Sequence, residues 1–303
     1  MRNPLHFPYS PSFSCLLLSV LVGLLLSDSR MHASDIPEQE LVPATGENSG
    51  GLRFDLYQGY FMVAHGSAGP LKNLNLFLDT GTNRTVLDER IVKKLGVPRE
   101  ESTDIAVIGG RVKGAEIKLP SLELGTLKVS NLQIVTTDLS FFQKFFPVHI
   151  DAIVGIDVLG IQPFMIDYAA HVIRFGQHAS AFSVSVPLRL YHGMGVFDAE
   201  VDHTRAQLVF DTGAGSIILF DRPRPGAIDP AIEVPQAIGD FGRKQVWLRA
   251  LKLGPAEYRW KQAFIASNPN TSHLDYDGVM SPPALGITRV FVDLQGGRFA
   301  FSR

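Results

Sequence analysis

The 303-residue chain has one cysteine, Cys15, inside an N-terminal apolar stretch. Beyond that stretch there is no thiol for a disulfide, a Cys-based zinc site or a thiol nucleophile. The nine His are scattered, with no pair at helical metal-ligand spacing, so neither a metal nor a cofactor is expected. Lys and Arg number 28 against 30 Asp and Glu, a formal charge of −2. No basic run marks a nucleic-acid or anionic-membrane surface. Gly109-Gly110 is too short for a phosphate loop, and no Lys-Ser/Thr follows it. The apolar run Cys15–Leu26 falls short of the roughly 20 residues a membrane span needs. With Arg2 and His6 ahead of it, residues 1–33 read as a signal peptide or, if retained, an N-terminal membrane anchor. The protein is therefore expected to be exported, periplasmic or extracellular, with a possible membrane tether. Residues 34–53 carry Pro37, Pro43, Gly46, Gly50 and Gly51 and read as a flexible linker.

What the chain does contain is a repeat. Asp-Thr-Gly occurs at Asp79-Thr80-Gly81 and again at Asp211-Thr212-Gly213, each copy ending one apolar run and preceding another. One triplet would say little, because Asp and Gly are ordinary turn residues. The later blocks repeat as well. Asp151-Ala-Ile-Val-Gly155 matches Asp277-Gly-Val-Met-Ser281, both continue to Leu-Gly-Ile, and Phe164–Asp167 matches Val290–Asp293. From 79 to 211 the offset is 132; from 151 to 277 and from 167 to 293 it is 126. Three ordered blocks with a six-residue length difference point to a duplicated lobe. Two carboxylates meeting at a pseudo-two-fold axis could activate water without a metal or a covalent nucleophile.

The chain resembles the aspartic proteases of the pepsin and retropepsin group. The resemblance rests on the strands Phe77-Leu78-Asp79-Thr80-Gly81 with Ile153-Val154-Gly155, and Val209-Phe210-Asp211-Thr212-Gly213 with Val279-Met280-Ser281. Ser281 stands where the family has Gly. The match covers roughly residues 56 to 303 and is nearest to a retropepsin-like dimer fused into one chain. It implies an all-β, bilobal acid-protease fold of two small β-barrel lobes, residues 54–180 and 181–303, with the active site between them. It also implies an aspartic endopeptidase acting as a monomer on polypeptide, with Asp79 and Asp211 sharing a proton. Thr80, Gly81, Thr82, Thr212, Gly213 and Ala214 would support the pair. In the family a hydroxyl after the triplet donates to the outer oxygen of its Asp, so Thr82 is expected to serve Asp79, while Ala214 cannot serve Asp211. A protease-like fold that binds peptides without turnover is the alternative, and Ser281 is its best argument. A metal-independent hydrolase of another class would need the two aspartates far apart.

Short apolar strands broken by Gly, Pro and Asn argue independently for an all-β chain. Examples are Tyr60–Ala64, Lys72–Leu78, Ile105–Ile108, Ala115–Leu119 and Leu122–Leu124. Asp88–Leu95 reads as a helix stopped by Gly96, and Ser140–Phe146 as a second short one. Asp221-Arg-Pro-Arg-Pro225 cannot sustain a counterpart of the first helix. Two hairpins are candidate substrate-covering flaps, one at Ile108, Gly109 and Gly110, the other at Ile238 and Gly239. The Phe141-Phe142 and Phe145-Phe146 pairs suit either core packing or a specificity pocket.

Overall fold

The computed structural model of the protein describes residues 51–107, 110–176, 182–221, 232–233, 243–266 and 276–303. They are almost entirely β. The first lobe holds β1 (Leu52–Tyr57), β2 (Phe61–Ala68), β3 (Leu71–Leu78), β4 (Val86–Asp88), β5 (Ser102–Val107), β6 (Gly110–Leu124), β7 (Leu127–Thr137), β8 (Ala152–Val154), β9 (Phe164–Asp167) and β10 (Val172–Phe175), with helices α1 (Glu89–Leu95) and α2 (Ile156–Leu159). The second holds β11 (Val184–Pro187), β12 (Arg189–Tyr191), β13 (Met194–Val201), β14 (Thr204–Phe210), β15 (Ile217–Phe220), β16 (Ile232–Glu233), β17 (Arg243–Leu253), β18 (Ala256–Ala266), β19 (Gly278–Met280), β20 (Arg289–Asp293) and β21 (Arg298–Ser302).

The repeat in the sequence is a repeat in register. β3 runs parallel to β8, pairing Leu76 with Ala152, Phe77 with Ile153 and Leu78 with Val154. β14 runs parallel to β19, pairing Leu208 with Gly278, Val209 with Val279 and Phe210 with Met280. Every second-lobe partner lies at the offset read from the sequence. The aspartate opening each later block locks this pairing: Asp151 accepts from the Asn75 N–H and Asp277 from the Gln207 N–H, both at 2.8 Å. The lobes are joined by a sheet in the order β11-β21-β20-β9-β10-β1. At its centre β9 and β20 are antiparallel, with Met165 opposite Phe291. These two residues are themselves separated by 126 positions, so the pseudo-two-fold axis passes through their pairing.

Local chemistry explains most of the elements. The Asp88 carboxylate caps α1 by accepting from the Arg90 N–H at 2.8 Å, and Gly96 closes the helix at φ 66°. Ser140–Lys144 forms a 3₁₀ helix. In β3, Leu76, Phe77 and Leu78 are all buried, as expected of a strand covered on both faces. Leu76 and Leu78 face the main core, while Phe77 packs against Phe61, Phe142 and Phe146 at 5.6–5.8 Å between ring centroids. Burying one such side chain contributes about 1.5–3 kcal/mol. Core packing is therefore the role of Phe142 and Phe146; Phe141 and Phe145 remain partly exposed.

Two boundaries differ from the sequence reading. Ala115–Leu119 and Leu122–Leu124 are parts of one strand, β6, which passes through Pro120. Pro120 drops out of the ladder opposite Asn131, whose φ is 56°, so its missing N–H is not called upon. Leu52 and Arg53 already belong to β1, paired with Ile173 and Val172. Residues 222–231, where the prolines exclude a second copy of α1, lie outside the described residues.

Candidate active site

Each parallel strand pair ends at an aspartate. The Asp79 N–H donates to the Val154 carbonyl at 3.0 Å and the Asp211 N–H to the Met280 carbonyl at 3.1 Å. These bonds turn both loops toward the axis. Four further hydrogen bonds then cross between the lobes. The Thr80 N–H donates to Thr212 Oγ1 and the Thr212 N–H to Thr80 Oγ1, both at 3.0 Å. The Thr80 hydroxyl donates to the Phe210 carbonyl and the Thr212 hydroxyl to the Leu78 carbonyl, both at 2.9 Å. Both threonines are buried, so none of these groups can turn to water instead.

Thr80→Val keeps the shape but leaves the Thr212 N–H and the Phe210 carbonyl unpaired. Such a buried orphan costs about 1–3 kcal/mol. Thr80→Ser retains both bonds and loses only a methyl. Denaturant unfolding is expected to rank Val below Ser by about 1–2 kcal/mol. Equal midpoints for the two would mean that the cross-lobe bonds contribute nothing.

The glycines of the triplets let the carboxyl groups meet. The Gly81 N–H donates to Asp79 Oδ1 at 2.8 Å and the Gly213 N–H to Asp211 Oδ1 at 2.7 Å. A Cβ on Gly81 would lie 2.3 Å from Asp211 Cγ and Oδ1, and one on Gly213 would lie 2.3 Å from Asp79 Oδ1. Each glycine thus vacates the space that the opposite carboxyl fills. Asp79 and Asp211 are completely buried, and their Oδ2 atoms accept no hydrogen bond from any other described group.

Burial pushes both carboxyl groups above the usual carboxylate range. Asp211 rises to about 6 despite the Gly213 N–H bond. Asp79 rises well above its ordinary value, first by burial and then by the charge of Asp211, with the Gly81 N–H bond opposing. Two buried acids in contact oppose each other's ionisation, so they titrate as a coupled pair. Aspartic-protease dyads are the general precedent for this coupling.

The residue after the first triplet makes a different bond from the one the resemblance implies. The Thr82 hydroxyl donates to the Arg84 carbonyl at 3.2 Å, not to Asp79. Thr82 is buried in its own loop, and the acceptor it meets there lies two residues on in the same loop. Its hydroxyl therefore gives Asp79 no preference for charge over Asp211. Ala214 is buried beside Asp211, and its N–H, rather than its side chain, favours the ionised carboxylate.

Behind the pair the lobes are built differently. In the first, the Asp157 carboxylate accepts from the Thr85 N–H and hydroxyl, both at 2.8 Å, and Thr85 Oγ1 accepts from the Gly155 N–H at 3.1 Å. Burial pushes Asp157 to about 6 against these bonds. At the same offsets the second lobe has Pro283 for Asp157, Ile217 for Thr85 and Ser281 for Gly155. A Cβ on Gly155 would lie 2.8 Å from Asp157 Oδ1. With proline in place of that aspartate, Ser281 fits in extended backbone at φ −89° and ψ 126°. The strand pairing of the second lobe is unchanged by it.

The remaining sequence candidates fall as follows. Ile108, Gly109, Ile238 and Gly239 lie outside the described residues, and Gly110 begins β6. His149 is exposed, its carbonyl accepting from Asn75 Nδ2. Among the described residues no group of three or more His, Cys, Asp or Glu could hold a metal, and no helix is long and apolar enough to cross a membrane. The sequence reading missed Tyr60 and the turn at residues 192–193, which reach the loops of the opposite lobe. Their signal was the position of each turn relative to its triplet, 19–21 residues upstream of Asp79 and 18–19 upstream of Asp211.

Residues 65–158 match the family model described as aspartyl protease. The matched span contains the first triplet and Ile153-Val154-Gly155, and it supports an aspartyl protease family for that part of the chain. No curated protein matches the chain.

Proposed function

We propose that the chain is an aspartic endopeptidase of two fused retropepsin-like lobes, residues 54–180 and 181–303, working through Asp79 and Asp211. The observation that carries this reading is the nesting of two buried carboxyls, each in the space left by the other lobe's triplet glycine. In the singly protonated pair, the ionised carboxyl takes a proton from a bound water as it attacks the peptide carbonyl. The protonated carboxyl donates to the developing oxyanion, and a proton then passes to the leaving nitrogen. No metal or covalent intermediate is needed. The substrate is an extended polypeptide lying across both lobes. The apolar segment Cys15–Leu26 supports export as the setting.

The test is digestion of a mixed peptide library, read by mass spectrometry from pH 3 to 8, with and without a statine-type transition-state mimic. Internal cleavage that the mimic suppresses is expected, with a maximum on the acidic side and a fall where both carboxyls ionise. Binding of the mimic without any cleavage would replace this reading with that of a peptide-binding protein.

A further inference from the structure

The hairpin β17–β18 carries two features that the carboxyl pair does not use. Residues 243–266 hold six Lys and Arg against one acid, Glu257, in a chain whose formal charge is −2. They also hold the only two Trp of the chain, Trp247 and Trp260, exposed to 36% and 55%. The basic residues are spread along two strands, so they form no run in the sequence and gather only when the hairpin closes.

Trp260 sits in the left-handed region at φ 51°, where a bulky side chain is a genuine outlier. The position recurs in the first lobe. There β7 (Leu127–Thr137) corresponds to β18 (Ala256–Ala266) at an offset of 129, so Asn131, at φ 56°, is the counterpart of Trp260, and Pro120 that of Arg249. Both hairpins need a left-handed residue at this point. The first lobe supplies Asn, which tolerates it; the second supplies Trp, whose ring gains little burial in return. The ladder pairs Leu248 with Lys261 and Ala250 with Arg259, and the Arg249–Trp260 pair between them drops out. Across that gap the buried positions of β17 change parity, from Val246 and Leu248 to Leu251 and Leu253. Arg249, Arg259 and Trp260 are consequently all exposed, and Trp247 precedes Arg249 by about 7 Å along the strand. Strain kept without a gain in burial points to a role outside the fold.

Neighbouring acids neutralise only part of the charge. Glu257 holds Arg259 at 2.8 Å and Glu200 holds Lys252 at 2.7 Å, while Asp202 Oδ1 accepts from the Ala250 N–H. Arg249 and Lys261 keep no carboxylate partner among the described residues. We propose that this face docks the protein on an anionic lipid bilayer. The Trp247 and Trp260 rings enter the headgroup layer, which accommodates an apolar ring with a single N–H donor. Arg249 and Lys261 meet the negative surface charge. The apolar segment Cys15–Leu26, as signal peptide or anchor, brings the chain to a membrane independently. Docking goes beyond peptide cleavage and holds whether or not the carboxyl pair turns over substrate.

The two Trp are their own probes, since no other Trp contributes to the emission. The full chain is titrated with vesicles of phosphatidylcholine, alone or mixed with phosphatidylglycerol. With the mixed vesicles the Trp emission is expected to shift to the blue and to be quenched by a doxyl-labelled lipid, and both effects should fade as salt screens the charge. Trp247→Phe and Trp260→Phe leave one probe each, and each remaining probe should respond. Arg249→Gln and Lys261→Gln are each expected to weaken partitioning about fivefold. Trp260→Asn installs the residue of the first lobe. It should bind less tightly yet keep or raise the midpoint of denaturant unfolding, because Asn enters the left-handed region more readily. The proposal is overturned if neither Trp responds, or if phosphatidylcholine alone gives the same response at high salt. It is also overturned if Trp260→Asn unfolds earlier than the parent, which would make the ring a structural part. An emission shift that grows with protein concentration without vesicles would assign the face to a second copy of the chain. One produced equally by polyglutamate would assign it to an acidic polypeptide, and either result removes the bilayer as occupant.

Discussion

Asp79→Asn and Asp211→Asn are each expected to lower kcat/KM for peptide cleavage by about a thousand- to ten-thousand-fold, with the far-ultraviolet circular dichroism unchanged. The size follows from the role: general acid–base groups contribute roughly 10²–10⁴ each, and here one proton is shared, so either substitution disables both steps. The same argument makes the effects non-additive. The double variant should be no slower than the slower single one, because a unit that is already broken cannot be broken again. Steady-state kinetics on one library-derived peptide decides this. A single variant retaining near-parental turnover would exclude the pair, and a double loss equal to the product of the single losses would mean that the carboxyls act separately.

The pairing was legible in the sequence because the duplication is written in side chains that chemistry constrains. Asp-Thr-Gly repeats because Asp must meet Asp, Thr must bond across the axis, and anything larger than Gly would collide with the opposing carboxyl. The strands were legible for a more general reason. A strand covered on both faces, such as β3, reads as a continuous apolar run ending at Leu78. The Asp88–Gly96 helix likewise carries its own start and stop signals.

What stayed hidden depends on contacts that no local pattern encodes. Tyr60 and Gly215 lie far apart in the chain and touch only because the lobes close on each other. Asp157 read as one letter of a repeated block, and its environment became clear only beside Thr85 and Gly155. Thr82 offered a hydroxyl in the expected place, but sequence does not report which acceptor is nearest, and the Arg84 carbonyl is the one it bonds. Pro120 looked like a strand break. It is accommodated because Asn131 opposite it takes a left-handed φ of 56° and leaves the ladder at the same point, a compensation on a different segment. Ser281 likewise has a partner change that one letter does not reveal, since Asp157, which lies beside Gly155 in one lobe, is Pro283 at the same offset in the other.

The buried pair should also lower stability as pH rises, an effect that can be measured without any substrate. An unfolded Asp titrates near 3.8, whereas Asp211 in the fold titrates at about 6 and Asp79 well above its ordinary value. A carboxyl whose folded pKa is raised stabilises the fold fully below the unfolded value, and that contribution is lost as pH rises through the folded one. The loss therefore begins near pH 4 and extends beyond pH 6. Each unit of displacement corresponds to about 1.4 kcal/mol. Sharing of one proton within the pair reduces the sum, so roughly 1–3 kcal/mol should separate the two ends of this window. Asp211→Asn replaces a titrating group with a neutral isostere. Near pH 3.5 it should match the parent, and near pH 8 it should be the more stable by that amount, several degrees in Tm. Asp157, also held at about 6, loses stability over the same range in both proteins and cancels in the difference. Denaturant unfolding at the two pH values gives the answer. A gap that does not widen with pH would show that the carboxyls titrate normally. A variant less stable than the parent at pH 8 would show that the ionised pair is favoured by the fold, and either result would remove the physical basis for a shared proton.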